Sequence, residues 1–379
     1  MASPSNAELP AAPAASSREF IVTFAMLFAL MLAFLGLDFS LARVERAEAQ
    51  KHAASLYQEG RARLDSGQAG EAADRLSAAV SLDRSNVAYA LGLAQAMAAQ
   101  GRATDAQQML DGLLGRAPND GAVNLTMARL LATAHHPRDA VAFYHRAIYG
   151  GWGADSVSQR MAARFELIDQ LVTQRAPGEL LAELLPLQSD SADSTALLAR
   201  VAPLYLRAEA PNRATEAYRA LIRRSPHDAS AYVGLGDAAL AVGQFSTARA
   251  AFRDAARAKA GDAGIIQRLQ LADTLLALDP MARGLGDSQR LRRSRALLAL
   301  TAATVAACAP NGTTRPDLGT QDSALVSPST SSSHGDAAMG AEQALALANS
   351  IWRGRPATCV PDSNASAEVM VLLHRSLTR

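Results

Sequence analysis

The chain has 379 residues, 49% of them hydrophobic but only 5% aromatic, and its 37 basic and 36 acidic side chains nearly cancel to a net charge of +1. So even a balance provides no field to hold a polyanion, and no nucleic-acid partner is expected. Two cysteines, Cys308 and Cys359, are too few and too far apart for a metal knuckle, so no metal is expected; they form one disulfide or remain two thiols, depending on the compartment.

Alanine, leucine and arginine dominate, a mixture that favours helices packed closely through small side chains and predicts an all-α fold. Lys51 and Lys259 are the only lysines, an arginine bias typical of a GC-rich bacterial genome.

In chain order, residues 1–19 are rich in Ala, Pro and Ser and read as a disordered tail. From Phe20 to Leu37 there are 18 residues without a charge. At about 1.5 Å each they make a helix of roughly 27 Å, near the hydrocarbon thickness of a bilayer. Phe39 to Ala42 extend the apolar run past Asp38, so a transmembrane helix is predicted over residues 20–42. Ala47-Glu48-Ala49 has the form of a signal-peptidase site, but Arg43, Glu45 and Arg46 intervene, which favours an uncleaved anchor. A buried soluble helix is the third reading, opposed by the apolar character of every face. The expected location is a bacterial inner membrane with a single pass. Arg43, Arg46 and Lys51 after the span argue for a cytoplasmic domain, whereas the short N-terminal tail and the cysteine pair argue for a periplasmic one, and the two sides stay open.

A period of 34 residues follows without a gap over residues 53–86, 87–120 and 121–154, and resumes at 195–228 and 229–262. The eighth position of each unit is small (Gly60, Ala94, Ala128, Ala202, Gly236) and the twentieth is alanine (Ala72, Ala106, Ala140, Ala214, Ala248). The twenty-fourth is large (Leu76, Leu110, Tyr144, Tyr218, Phe252). This pattern resembles the tetratricopeptide repeat, in which small residues let helices A and B approach while the bulky residue fills the gap toward the next helix. Gly67, Gly101 and Gly243 at the fifteenth position mark the reversal between the helices, and Pro118 and Pro226 mark the end of helix B. The resemblance implies a right-handed α-α superhelix over residues 53–262, preceded by one transmembrane helix.

Residues 155–194 read as a degenerate, lengthened repeat, with Trp152 packing over a widened joint ahead of it. Residues 263–308 read as capping helices off register, 309–339 as a disordered linker rich in Ser, Thr, Pro and Gly, and 340–379 as C-terminal helices at about 340–353 and 364–377.

No nucleotide loop, nucleophile elbow or zinc-protease signature is present, so neither catalysis nor a cofactor is expected. His135, His136 and nearby His145 fall in and after a turn, where exposed polar residues are ordinary. The resemblance implies that helix A of each repeat lines a concave groove for an extended peptide or a partner helix. An apolar rail at the fifth position (Tyr57, Leu91, Leu125, Val233) would run beside a polar one at the ninth (Arg61, Gln95, Arg129, Asp237). The carboxylate clamp of repeats that grip chaperone tails is not matched, since Gln58 and Gly92 occupy the sixth position of the first two units. The expected function is a membrane-anchored protein-interaction scaffold in envelope assembly, secretion or polymer export. A regulatory or accessory subunit of a membrane enzyme complex is the alternative.

Overall fold

The computed structural model describes residues 17–188, 194–308 and 334–355. The expectations for residues 1–16 and 309–333, for a helix at 364–377 and for Cys359 lie outside the described residues, as does the side chain of Cys308. The described residues are all-α: they contain no strand, only an isolated bridge between Asp120 and Gly151. They divide into two compact units, one ending at Gln170 and the other beginning at Leu171.

The first unit begins with α1 (Ser17–Asp65) and continues through α2 (Ala69–Leu82), α3 (Val87–Ala99), α4 (Ala103–Arg116), α5 (Gly121–Thr133) and α6 (Pro137–Tyr149) into α7 (Ser156–Gln174). The second contains α8 (Pro177–Leu184), α9 (Thr195–Arg207), α10 (Pro211–Arg224), α11 (Ala229–Ala241), α12 (Phe245–Ala258), α13 (Ala263–Leu278), α14 (Asp287–Cys308) and α15 (His334–Arg353). In the first unit each of α1 to α5 packs on the next helix in the chain, and in the second each of α8 to α14 does so.

α1 is one unbroken helix of 49 residues, about 73 Å long. The sequence expectation treats the apolar span and the first repeat as separate elements. They are continuous because residues 43–52 are strong helix formers with no Gly or Pro, and Arg43 folds back over the Phe39 ring at 4.6 Å. The large apolar side chains from Val22 to Leu41 are 50–68% exposed, and none packs in a core. α1 is therefore long and apolar enough to cross a membrane, and an N-terminal signal sequence satisfies the same criterion.

Two local devices recur along the repeats. Helix A starts on a side-chain cap from the residue before it: Asn86, Asp120, Ser194, Asp228 and Asp262 each accept a backbone N–H of the first turn at 2.9–3.2 Å. Helix B starts without such a cap. Instead the chain reverses through a residue in the left-handed region, and the next N–H reaches back five residues, as in Arg102 N to Met97 O (2.9 Å) and Gln244 N to Ala239 O (2.8 Å). Gly67, Gly101 and Gly243 hold that position at φ 78°, 80° and 71°, which glycine adopts without strain. His135 (φ 60°), Arg175 (φ 54°) and Glu209 (φ 53°) hold it in the other turns, so His135 serves a backbone reversal.

The twenty-fourth position packs on two helices. A Cβ added to Gly236 would lie 2.3 Å from the Phe252 ring, and one added to Gly60 would lie 2.6 Å from Leu76. These are contacts to the eighth position of the same repeat. The neighbouring helix A is just as close, since a Cβ on Gly234 would meet the Tyr218 ring at 2.0 Å. Trp152 packs over the start of α5, where a Cβ on Gly121 would be 2.3 Å away, and its Nε1–H donates to Ala147 O at 2.8 Å.

After α13, Arg293 of α14 donates to the carbonyls of Leu276 and Asp279 at 2.8 and 3.0 Å, closing the end of α13. The helix expected from residue 340 starts at His334, because Ala337 is already buried with Leu291 and Ala341. Trp352 anchors its far end in a cluster with Phe245, Leu275, Leu298 and Val305.

Candidate functional site

The fifth-position side chains differ in what they present. Tyr57 is half-buried and stacks on Tyr89 of α3, with ring centroids 5.0 Å apart and planes tilted by 36°. Leu91 and Val233 are half-buried, whereas Leu125 is 6% exposed and belongs to the packing of α5 more than to any groove.

The ninth-position side chains form polar rungs to the next helix A. Arg61 Nη1 donates to Gln95 Oε1 at 2.6 Å, and Gln95 Nε2 donates to Thr126 Oγ1 at 3.1 Å. Thr126 passes its own proton to Ala122 O at 2.9 Å. Arg129 grips Glu166 with two bonds, Nε to Oε2 at 2.8 Å and Nη2 to Oε1 at 2.6 Å. In the second unit, Arg268 Nε donates to Asp237 Oδ1 at 3.2 Å.

The register explains the rungs. Thr126 and Arg268 are the sixth residues of their repeats, and so is Glu166 when α7 is counted back from its left-handed residue Arg175. Ninth-to-sixth is thus the rule. Where the sixth residue is Gly92 there is no side chain to meet, and Arg61 reaches Gln95 instead.

Sequence reading finds the ninth-position side chains but misses their partners Thr126, Glu166 and Arg268. Writing out the sixth position would reveal the first and last, while Glu166 is hidden by the added length of α7. Half-exposed partners leave the Arg129–Glu166 bond worth about 1 kcal/mol, so the rungs fix side-chain geometry more than they stabilise the fold.

Beneath the rungs lie two buried phenols. Burial, together with the negative charge of Glu166, pushes Tyr144 up to about 12, and burial with Asp237 nearby does the same to Tyr218. Both remain protonated donors at any physiological pH. Burial also raises the Asp237 carboxyl above its ordinary 3.8, with Arg268 opposing. The folded protein therefore binds this proton more tightly than the unfolded chain, so the contribution of Asp237 to stability is greatest in acid. It declines as pH rises from about 4 through the raised folded value. The melting temperature of the native protein minus that of Asp237→Asn should fall across this window; a difference that rises instead would make Arg268 the dominant influence.

Sequence comparison now identifies the units. The tetratricopeptide-repeat family matches residues 63–130 and, in a second match, residues 202–263. The chain carries tetratricopeptide repeats. These segments run from the end of α1 to α5 and from α9 to the start of α13, so Gln95, Thr126, Arg129 and Asp237 lie within the matched segments, while Arg61 and Arg268 fall just outside them. None of the curated proteins matches the chain.

Among solved structures, the chain is similar to one described as a functional characterisation of Pseudomonas aeruginosa pilF, with 15% identity over 61% of this chain and 99% of that one, TM-score 0.39. It is also similar to the yeast Sti1 TPR2AB domain in complex with pHSP90, with 16% identity over 77% and 99%, TM-score 0.31. The TPR domain of P58(IPK) gives 12% identity over 86% and 99%, TM-score 0.28. The tetratricopeptide repeat is a protein-interaction fold, so this chain is built as a scaffold for other proteins or peptides.

Proposed function

We propose that this protein is a scaffold anchored in a bacterial inner membrane through residues 20–42, whose tetratricopeptide grooves hold an extended segment or helix of a partner in envelope assembly, secretion or polymer export. The supporting observation is α1: its apolar half packs against nothing, and its other half is helix A of the first repeat. A soluble domain gains nothing from leaving some twenty apolar residues in water. Anchorage is tested with tags at both ends of the chain and a carbonate wash of the membranes. Both tags should sediment together; a soluble fragment lacking the N-terminal tag would mean cleavage of a signal sequence and end this reading. Phosphatase and fluorescent-protein fusions after Arg379 then distinguish the periplasmic from the cytoplasmic side.

In the groove of the first unit, Tyr57, Arg61, Leu91 and Arg129 offer two apolar and two cationic groups, with Gln95 between the two arginines, while Leu125 faces the core; Val233 and Asp237 hold the corresponding positions in the second unit. Replacing Tyr57, Arg61, Leu91 and Arg129 together by alanine is expected to abolish co-purification of the native partner while helicity by circular dichroism is retained. Unchanged capture would move the site off these helices.

A further inference from the structure

The last two helices, α14 and α15, run side by side in the same direction. Leu291, near the start of α14, is buried with Ala337 and Ala341, near the start of α15, and a Cβ on Gly340 would lie 3.2 Å from its Cδ1. Leu298 and Val305, farther along α14, cluster with Ala344, Ala348, Ile351 and Trp352, farther along α15.

Their buried faces keep a heptad. On α14 the face is Leu291, Ser294, Leu298, Thr301 and Val305, spaced 3, 4, 3 and 4; on α15 it is Ala337, Ala341, Ala344, Ala348 and Ile351, spaced 4, 3, 4 and 3. Such spacing on both helices makes the seam of a parallel coiled coil. α15 packs chiefly on this seam, and its far end reaches Phe245 and Leu275 through Trp352.

The seam holds α15 loosely. Four of its five contributions from α15 are alanines, each burying little apolar surface. Ser294 is 0% exposed and its Oγ has no partner among the described residues, whereas Thr301 and Thr304 return their hydroxyls to Leu297 O and Leu300 O at 2.7 and 2.8 Å. In the heptad register Ser294 stands opposite Ala344, so nothing on α15 offsets the desolvation of its hydroxyl.

An antiparallel pair of helices needs a connection of only about two to five residues. A parallel pair sends the chain back along α14, a distance of about 35 Å. Residues 309–333 number 25, which can reach roughly 85 Å. That is more than twice the return distance, and every contact α15 would make on the α14 of another copy is one it already makes on its own. From this we infer that α15 is an exchange arm: two copies of this chain pair by each laying α15 along the α14 of the other. The partner is a second copy, recognised by the heptad face of α14, and this pairing is independent of the groove and of membrane anchorage.

The test co-expresses two full chains, both with Cys308→Ser and Cys359→Ser, one carrying Leu291→Cys and the other Gly340→Cys, and treats them with a short thiol-specific crosslinker. Exchange should give a covalent dimer containing one chain of each kind. A single chain carrying both new cysteines should give an internal link as well as a dimer, which checks the seam itself. When the two chains are purified separately and then mixed, Ser294→Ala, which removes the unpaired hydroxyl, should slow formation of the mixed dimer about fivefold or more. The inference is overturned if the doubly substituted chain links only within itself, if no link forms in either arrangement, or if S294A leaves the rate unchanged. It is also overturned if a cysteine at the exposed Arg292, beside the seam, gives as much mixed dimer as one at Leu291.

Discussion

Replacing Phe252 by alanine is expected to destabilise the second unit by about 3–5 kcal/mol, the cost of emptying a fully buried aromatic site. Phe252 is 0% exposed and packed among Ala239, Ala248 and Ala272 and against Gly236, with Leu240 and Leu269 at the margin of the cluster as the side chains able to relax toward the space. The two tryptophans provide a direct readout. Trp352 lies in the C-terminal cluster with Phe245 of the same helix α12, and Trp152 lies in the first unit, so a Trp152→Phe background leaves Trp352 fluorescence to report denaturant unfolding. The same geometry predicts a change of sign. Gly236→Ala drives a Cβ into the ring and should cost about 1–3 kcal/mol in the native protein. With Phe252 already alanine, the three ring atoms nearest that Cβ are gone, and the better helix propensity of alanine should make the substitution neutral or stabilising by up to about 1 kcal/mol. Additive costs would show that position 24 does not fill the gap at position 8.

The opposite direction is expected at the turns. His135, Arg175 and Glu209 hold left-handed backbone that costs a side-chain-bearing residue roughly 1 kcal/mol, and all three are exposed, so their side chains give little in return. The triple replacement His135→Gly, Arg175→Gly, Glu209→Gly should stabilise the protein by about 2–3 kcal/mol in total, even after the greater freedom of glycine in the unfolded chain is counted. Scanning calorimetry should show His135→Gly raising the transition of the first unit and the other two raising that of the second, by about 2–4 °C per kcal/mol. A fall in either would mean that these side chains make contacts worth more than the strain they impose.

The repeat fold was legible because its constraints fall at fixed intervals. Gly60 with Leu76 and Gly236 with Phe252 are contacts between the eighth and twenty-fourth residues, and a pattern of small and large residues held in phase over several units has few other causes. The groove was legible only in part. Arg129 and Asp237 could be assigned to one face and Arg268 read off the sixth position, yet Glu166 could not, since it enters the ladder only after α7 is shifted to its true register. The three non-glycine turns were equally hidden: nothing in the residue types of His135, Arg175 or Glu209 announces a positive φ, and only their place in the period does. The continuity of α1 could not be foreseen from hydropathy, which separates apolar from charged residues, whereas helix propensity ignores that division.

With residues 20–42 in a bilayer, that continuity would turn the segment from Arg43 to His52 into a rotary setting. Each residue of an α-helix advances the chain by about 1.5 Å and turns it by about 100°. Adding one residue there would leave every repeat contact intact yet swing Tyr57 and Arg61 more than a quarter of the way round the axis of the span. Adding seven would bring them back to nearly the same bearing, roughly 10 Å farther from the lipid. The direction in which the first repeat looks along the membrane would thus be specified by the length of a largely exposed helical segment.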